Sequence, residues 1–238
     1  MFNILFIKVY INYSLFFIGP ISSLQGFFHF NFLINYLNND ELILINNILN
    51  FINFSSDKMA DFEEIINTRR SIREYDSKEV EDEKIEKILK AGMQAPGSRL
   101  GAEPWEFLII KNKETLAKIG EIKPRVTNAP VAILLIANIE RSFYKLVWQQ
   151  DMSAAAENML LEAVNLGLGG LWNGVAPEEE RMNAIGEIVG LPKDDNLKPF
   201  CIITLGYPAE GWENKFMDKY DESRIHYETY YLNFKHFL

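Results

Sequence analysis

The sequence predicts one α+β domain over residues 59–238, on three observations. Amphipathic helical periodicity and short apolar runs of strand type alternate along those residues. No repeat and no Pro/Gly/Ser-rich linker interrupts them. The 58 residues before Met59 differ in composition from everything that follows.

Residues 1–58 hold ten Phe, ten Ile and ten Asn, with no Ala and no Arg. Their charged residues are Lys8, Asp40, Glu41, Asp57 and Lys58, so nearly all the acidity of a chain of net charge −9 lies beyond them. Runs such as Phe2–Ile7 show neither helical nor strand periodicity. These residue types also have A/T-rich codons. We read the stretch as an extension outside the fold, translated from upstream DNA, with Met59-Ala60-Asp61 as the natural start. The competing reading is a membrane anchor or signal at Met1–Ile18, which Lys8 interrupts and which lacks a basic leading region.

Beyond Met59, a helix is expected from about Asp61 to Arg69-Arg70, with Phe62, Ile65 and Ile66 on one face. A second carries Ile85, Ile88, Leu89 and Met93 at i, i+3, i+4 spacing. Trp105–Lys111, Val131–Ala137 and Phe200–Leu205 read as strands. Between them lie a short helix near Glu114–Ile122 and a long one from about Ser142 to Leu166. Another is expected to begin at Pro177, whose missing N–H is harmless in a first turn. The long helix carries a stripe of Met152, Ala155, Ala156, Met159, Leu160, Ala163 and Val164, which suits either a core or a subunit interface.

Composition excludes several function classes. A net charge of −9 disfavours broad binding to nucleic acid or anionic membrane. One cysteine, Cys201, and three scattered histidines provide neither a disulfide framework nor a zinc cluster. No metal site is expected.

Four segments can carry chemistry. Arg69-Arg70-Ser71-Ile72-Arg73 is the densest cationic cluster, and guanidinium forks suit phosphate or carbonyl-rich rings. The alternative is simple complementation of a helix dipole. Ala95-Pro96-Gly97-Ser98-Arg99-Leu100-Gly101-Ala102-Glu103-Pro104-Trp105 is a loop with backbone donors, or an ordinary connection. Gly167-Leu168-Gly169-Gly170-Leu171-Trp172-Asn173-Gly174 fails the dinucleotide fingerprint, because Trp172 replaces its third Gly. Gly167 or Gly169 serves as a helix C-cap, while Gly174 lets a flat ring approach the backbone. Lys219-Tyr220-Asp221-Glu222-Ser223-Arg224-Ile225-His226-Tyr227, taken alone, is a solvated tail.

The order of these four segments, with Gln150-Asp151-Met152 and Glu157–Leu161 on the long helix, resembles the nitroreductase family of FMN-dependent oxidoreductases. The resemblance spans about Asp61 to Tyr230. It implies a three-layer α-β-α fold around a mixed, mainly antiparallel sheet, and a cytoplasmic homodimer with FMN at the subunit interface. By that resemblance Arg69, Arg70, Ser71 and Arg73 contact the FMN phosphate, ribityl chain and pyrimidine edge, and Arg224 adds phosphate charge, with Lys219 the weaker candidate. Pro96, Gly97 and Ser98 lie against the cofactor from the other subunit. The Trp172-Asn173-Gly174 turn passes the reactive ring edge, where a backbone N–H can meet N5.

The implied activity is hydride transfer from NADH or NADPH to a small flat acceptor, such as a nitroaromatic or quinone, by a ping-pong route. No side chain is assigned a catalytic role. Enone reduction, dehalogenation and non-catalytic flavin binding are the alternatives. One departure stands out. Seven residues separate Pro96 from Pro104, with no Asn among them and Glu103 in place of Gln, where the family commonly has six. Only the first part of this loop is carried over.

Overall fold

The computed structural model describes residues 7–11, 14–18 and 62–230, and the chain divides into two compact units, Met1–Met59 and Ala60–Leu238. In the first unit, β1 (Ile7–Ile11) pairs antiparallel with β2 (Ser14–Ile18). The run Phe2–Ile7, read as showing neither helical nor strand periodicity, lies outside the described residues except for Ile7, which opens β1. The two short strands, which contain β-branched and aromatic residues, satisfy each other's backbone groups.

In the second unit the order is α1 (Phe62–Thr68), α2 (Asp82–Met93), β3 (Trp105–Ile110), α3 (Lys113–Ile122), β4 (Val131–Asn138), α4 (Trp148–Asn165), β5 (Gly169–Gly174), α5 (Glu179–Ile188) and β6 (Leu197–Gly206). The strands form one sheet in the order β3-β4-β6-β5, antiparallel at every pairing. A single parallel bridge, Ser71 to Gly170, adds the segment after α1 to the outer edge of β5.

Strand β4 shows why three layers result. Its residues are apolar and buried from Val131 to Ala137, so both faces must be covered. Val131, Ile133, Leu135 and Ala137 pack with Ile85 and Ile88 of α2 and Met152, Ala155, Ala156 and Met159 of α4. Ala132, Leu134 and Ile136 pack with Leu116 and Ile119 of α3 and Met182 and Ile185 of α5. The period of two along the strand thus feeds two separate cores. The small-residue stripe of α4 belongs to the first of them. Small size there permits close approach, since a Cβ on Gly92 of α2 would lie 2.8 Å from Met159 Cγ. Cys201 is buried in β6, and that burial pushes its thiol pKa well up.

Two boundaries and one buried face differ from the sequence expectation. The long helix begins at Trp148 rather than Ser142. Turn bonds engage the preceding backbone, with Arg141 N–H donating to Asn138 O and Ser142 N–H to Ile139 O, while the Ser142 hydroxyl donates to Tyr144 O. Helix α5 begins at Glu179, not Pro177, because Val175 and Ala176 both donate to Phe200 O and hold the chain on the sheet. In α1 only Ile65 is buried. Phe62 and Ile66 are exposed, because so short a helix docks along a single line.

Candidate functional site

The site is built where α1 runs into the outer edge of β5. Arg69 N–H donates to Ile65 O, closing the helix, and the next residues turn onto the sheet. Ile72 N–H donates to Gly170 O at 3.0 Å, and the Ile72 side chain, 1% exposed, is clamped against Gly169. The Tyr75 hydroxyl donates to Ile72 O (2.9 Å) and contacts Thr204 Oγ1 (2.9 Å), fixing the far end of the segment. Burial pushes the Tyr75 phenol pKa far up, so it stays a neutral donor.

This clamp orients β5. The ladder bonds of an antiparallel pair alternate, so residues face the partner strand and the open edge in turn. Gly170 O meets Ile72 outside the sheet, whereas Val175 N–H donates inward to Phe200 O (3.0 Å). Trp172 and Gly174 share the parity of Gly170, and their N–H and C=O groups therefore face the open edge.

A cavity of about 250 Å³ lies along that edge, lined by Arg73, Leu171, Trp172, Asn173 and Gly174 together with Lys123, Pro124 and Arg125. The structure thus brings together Arg73 and Trp172–Gly174, from segments a hundred residues apart. The expected turn at Trp172–Gly174 is corrected to a strand. Gly167, at φ +74°, is the residue just past the helix cap, and Gly169 belongs to β5.

Lys123 and Arg125 escaped sequence reasoning. They flank Pro124 at a 3-10 turn, Pro124–Val126, far from every motif. A Lys-Pro-Arg triplet next to a strand was the available signal. Lys123 is partly desolvated and lies near Arg181, and both effects lower its ammonium pKa. Arg125 reaches Glu74 at 3.4 Å.

The remaining cations behave differently from one another. Arg69 pairs with Glu157 of α4 at 3.3 Å. Arg73 Nη1 donates to Ser71 O at 3.0 Å. Arg70 donates from its backbone N–H to Asn214 Oδ1 (3.1 Å) and from Nη1 to Arg69 O (2.5 Å). Its Nε and Nη2 are buried with no hydrogen-bond partner among the described residues. A buried charge without partners is costly, so two such donors mark a place for an anionic or carbonyl-rich ligand. Open-edge N–H groups and three further cations beside the cavity have the same donor character.

The side chains of the other expected residues are engaged as follows. Asn173 is buried, and its Nδ2 donates to Leu171 O and Ile202 O (3.3 and 3.2 Å), so its side chain serves the sheet. Trp172 packs edge-to-face on Phe200. Pro96 is exposed, Gly97 lies near Glu103 and Trp105, and the Ser98 hydroxyl donates to the buried carboxylate of Asp151 (2.9 and 2.7 Å). Arg224 is 83% exposed and pairs with Asp221 at 2.9 Å. Lys219 is exposed in the same tail.

The Nitroreductase family model matches residues 66–123 and 120–207. The "Putative NADH dehydrogenase/NAD(P)H nitroreductase" of Methanothermobacter thermautotrophicus is 42% identical over 173 residues, covering 71% of this chain and 88% of that protein. Among solved structures, the "Putative NADH Oxidase" of Clostridium acetobutylicum shares 47% identity at a TM-score of 0.66, covering 70% of this chain and 99% of its own. The "FMN-dependent Nitroreductase" of Clostridium difficile R20291 shares 34% identity at a TM-score of 0.63, covering 71% and 99%.

Proposed function

The chain belongs to the nitroreductase family, and we propose that the outer edge of β5 is its flavin site. The protein is an FMN-dependent NAD(P)H oxidoreductase. When bound, FMN supplies the redox chemistry, taking hydride from NAD(P)H and passing reducing equivalents to a flat, electron-poor acceptor such as a nitroaromatic or quinone. The observation that carries the site assignment is the pair of buried, unpartnered donors Nε and Nη2 of Arg70, three residues before the Arg73 that lines the cavity.

The chain's own residues hold and orient. Arg69, Arg70 and Arg73 set positive charge at the end of α1, where Ser71 and Ile72 are pinned to β5. Lys123 and Arg125 extend that field to the other side of the cavity. The open-edge N–H groups of Trp172 and Gly174 offer neutral donors on a rigid strand, which stabilise charge developing on a ring without reorganising. Trp172 on Phe200 excludes water from one wall.

The homodimer is part of the same proposal. Phe62, Ile66 and Met93 are about half exposed or more, and so are Phe216, Met217, Tyr220, Tyr227 and Tyr230 of the tail. So many uncovered apolar side chains suit a partner surface. In this arrangement Pro96, Gly97 and Ser98 of each protomer lie against the flavin of the other. The Ser98 hydroxyl proton is engaged by Asp151, leaving the Ser98 oxygen as an acceptor. Arg224 adds charge at the phosphate end. Every residue of this proposed site lies in the second unit.

The test is steady-state turnover of the full chain loaded with FMN, using NADH or NADPH with menadione. Expected are oxidation of the nicotinamide, parallel double-reciprocal lines and a dimer by light scattering. Absent turnover overturns the activity, intersecting lines overturn the ping-pong order, and a monomer overturns the shared site.

A further inference from the structure

We propose that Arg99, held over Phe143, is a specificity-determining residue that selects flat aromatic acceptors bearing an anionic substituent. This rests on the reading above, in which Gly97 and Ser98 lie against the flavin, so that the next side chain borders the acceptor's position.

Four observations converge. First, the loop after Pro96 is anchored at its start, because the Ser98 hydroxyl donates to a carboxylate only 6% exposed, on Asp151 in the first turns of α4. Arg99 therefore leaves from a fixed point. Second, its guanidinium carbon lies 4.7 Å from the Phe143 ring centroid, within the range of a cation–π contact. Phe143 in turn meets Tyr144 edge-to-face at 4.6 Å. Two loops from opposite sides of the sequence are thus cross-tied.

Third, Glu103 and Glu106, the acids that follow Arg99 in sequence, are engaged elsewhere. Glu103 accepts from Gly101 N–H at 3.0 Å, and Glu106 pairs with Arg141. Arg99 has no ion pair among the described residues. Its donors stay open in a chain of net charge −9, where an available carboxylate would be easy to supply. Fourth, the surrounding surface is apolar and open, with Phe143 and Tyr144 about half exposed and Leu100 and Leu146 almost wholly so. One planar guanidinium face rests on a ring, and the outward edge keeps the fork that takes a carboxylate or sulfonate by two bonds. An aromatic body with one planar anionic group matches both halves.

The experiment compares 4-nitrobenzoate with 4-nitrobenzamide, which differ in charge and not in ring. Flavin content of the full-chain holoenzyme is read first, by absorbance. Wild type is expected to favour the carboxylate roughly tenfold in kcat/KM, through KM, as one charge-assisted contact warrants. Arg99→Gln brings the ratio close to one, and Arg99→Lys, which keeps the charge without the fork, falls between. Benzoate, which is not reduced, provides a readout without turnover. Its binding to oxidised holoenzyme, followed by flavin absorbance, weakens roughly tenfold in Arg99→Gln. A wild type indifferent to the charge, or a variant that retains the preference, overturns the proposal while leaving the flavin site intact. Protein that takes up no FMN overturns both, and that outcome is visible before any acceptor is added.

Discussion

Arg70→Met is expected to raise the stability of the flavin-free protein while lowering its affinity for FMN at least tenfold. The two effects share a cause. In the free protein Arg70 places Nε and Nη2 where nothing meets them, and a buried charge in that state is a liability. Methionine keeps much of the side-chain length without polar atoms. Replacing buried ion pairs by apolar residues is often neutral or stabilising, and the same direction is expected for removing these unpartnered donors. The same atoms are the ones available to an incoming phosphate or carbonyl. Loss of one charge-assisted hydrogen bond typically costs about 1.5–3 kcal/mol. Thermal unfolding of apoprotein and fluorescence titration with FMN measure the two quantities separately. An apoprotein that melts earlier, with FMN affinity unchanged, would make Arg70 a structural residue.

Gly169→Ala is the second large effect, and it acts through geometry. A Cβ at this position would lie 2.5 Å from Ile72 Cγ1, 2.6 Å from its Cβ and 2.8 Å from its Cγ2. No rotamer change moves a Cβ, so the segment carrying Ser71, Ile72 and Arg73 must separate from β5. Overpacking of this kind costs about 1–3 kcal/mol. It also breaks the register that sets Arg73 beside Trp172–Gly174, so melting temperature and FMN affinity fall together. Gly174→Ala is the control, since among the described residues its Cβ would approach only Trp172 Nε1, at 4.0 Å. It should leave the apoprotein's melting temperature unchanged. Equal melting temperatures for wild type and Gly169→Ala would show that the clamp is not tight.

Much of this architecture was legible because it depends on local pattern. The strands around Trp105, Val131 and Phe200 and the helix carrying Ile85 and Ile88 announce themselves by periodicity, and their boundaries move by a residue or a few. What escaped depends on pairings between distant segments. The Trp172–Gly174 stretch reads as a turn because glycines surround it, yet β6 provides the ladder that makes it a strand. Lys123 and Arg125 carry no motif, and only the fold brings them beside Arg73. Ser98 and Asp151 were both visible, but nothing in their spacing links them. The late start of α4 follows from turn bonds at Asn138–Tyr144, which compete with helix locally and leave no periodic trace.

The tail shows the limit from the other side. Its motif resembles the family's, and Arg224 was expected at the phosphate, yet in one chain it pairs with Asp221 and is exposed. In the proposed dimer, a residue whose ligand contact is completed by assembly leaves no trace of that role in the contacts of its own chain. Tyr220 and Tyr227 beside it are exposed as well.

The central claim is that a cationic strand edge recognises a flavin through its terminal phosphate. Its most direct test is titration of the full-length apoprotein with FMN, riboflavin and FAD, followed by flavin fluorescence. The account predicts one FMN per chain, with riboflavin bound at least tenfold more weakly because it lacks the group that Arg70 and its neighbours meet. FAD is likewise disfavoured, since no dinucleotide fingerprint is present. Riboflavin binding as tightly as FMN, or no flavin binding at all, would contradict it.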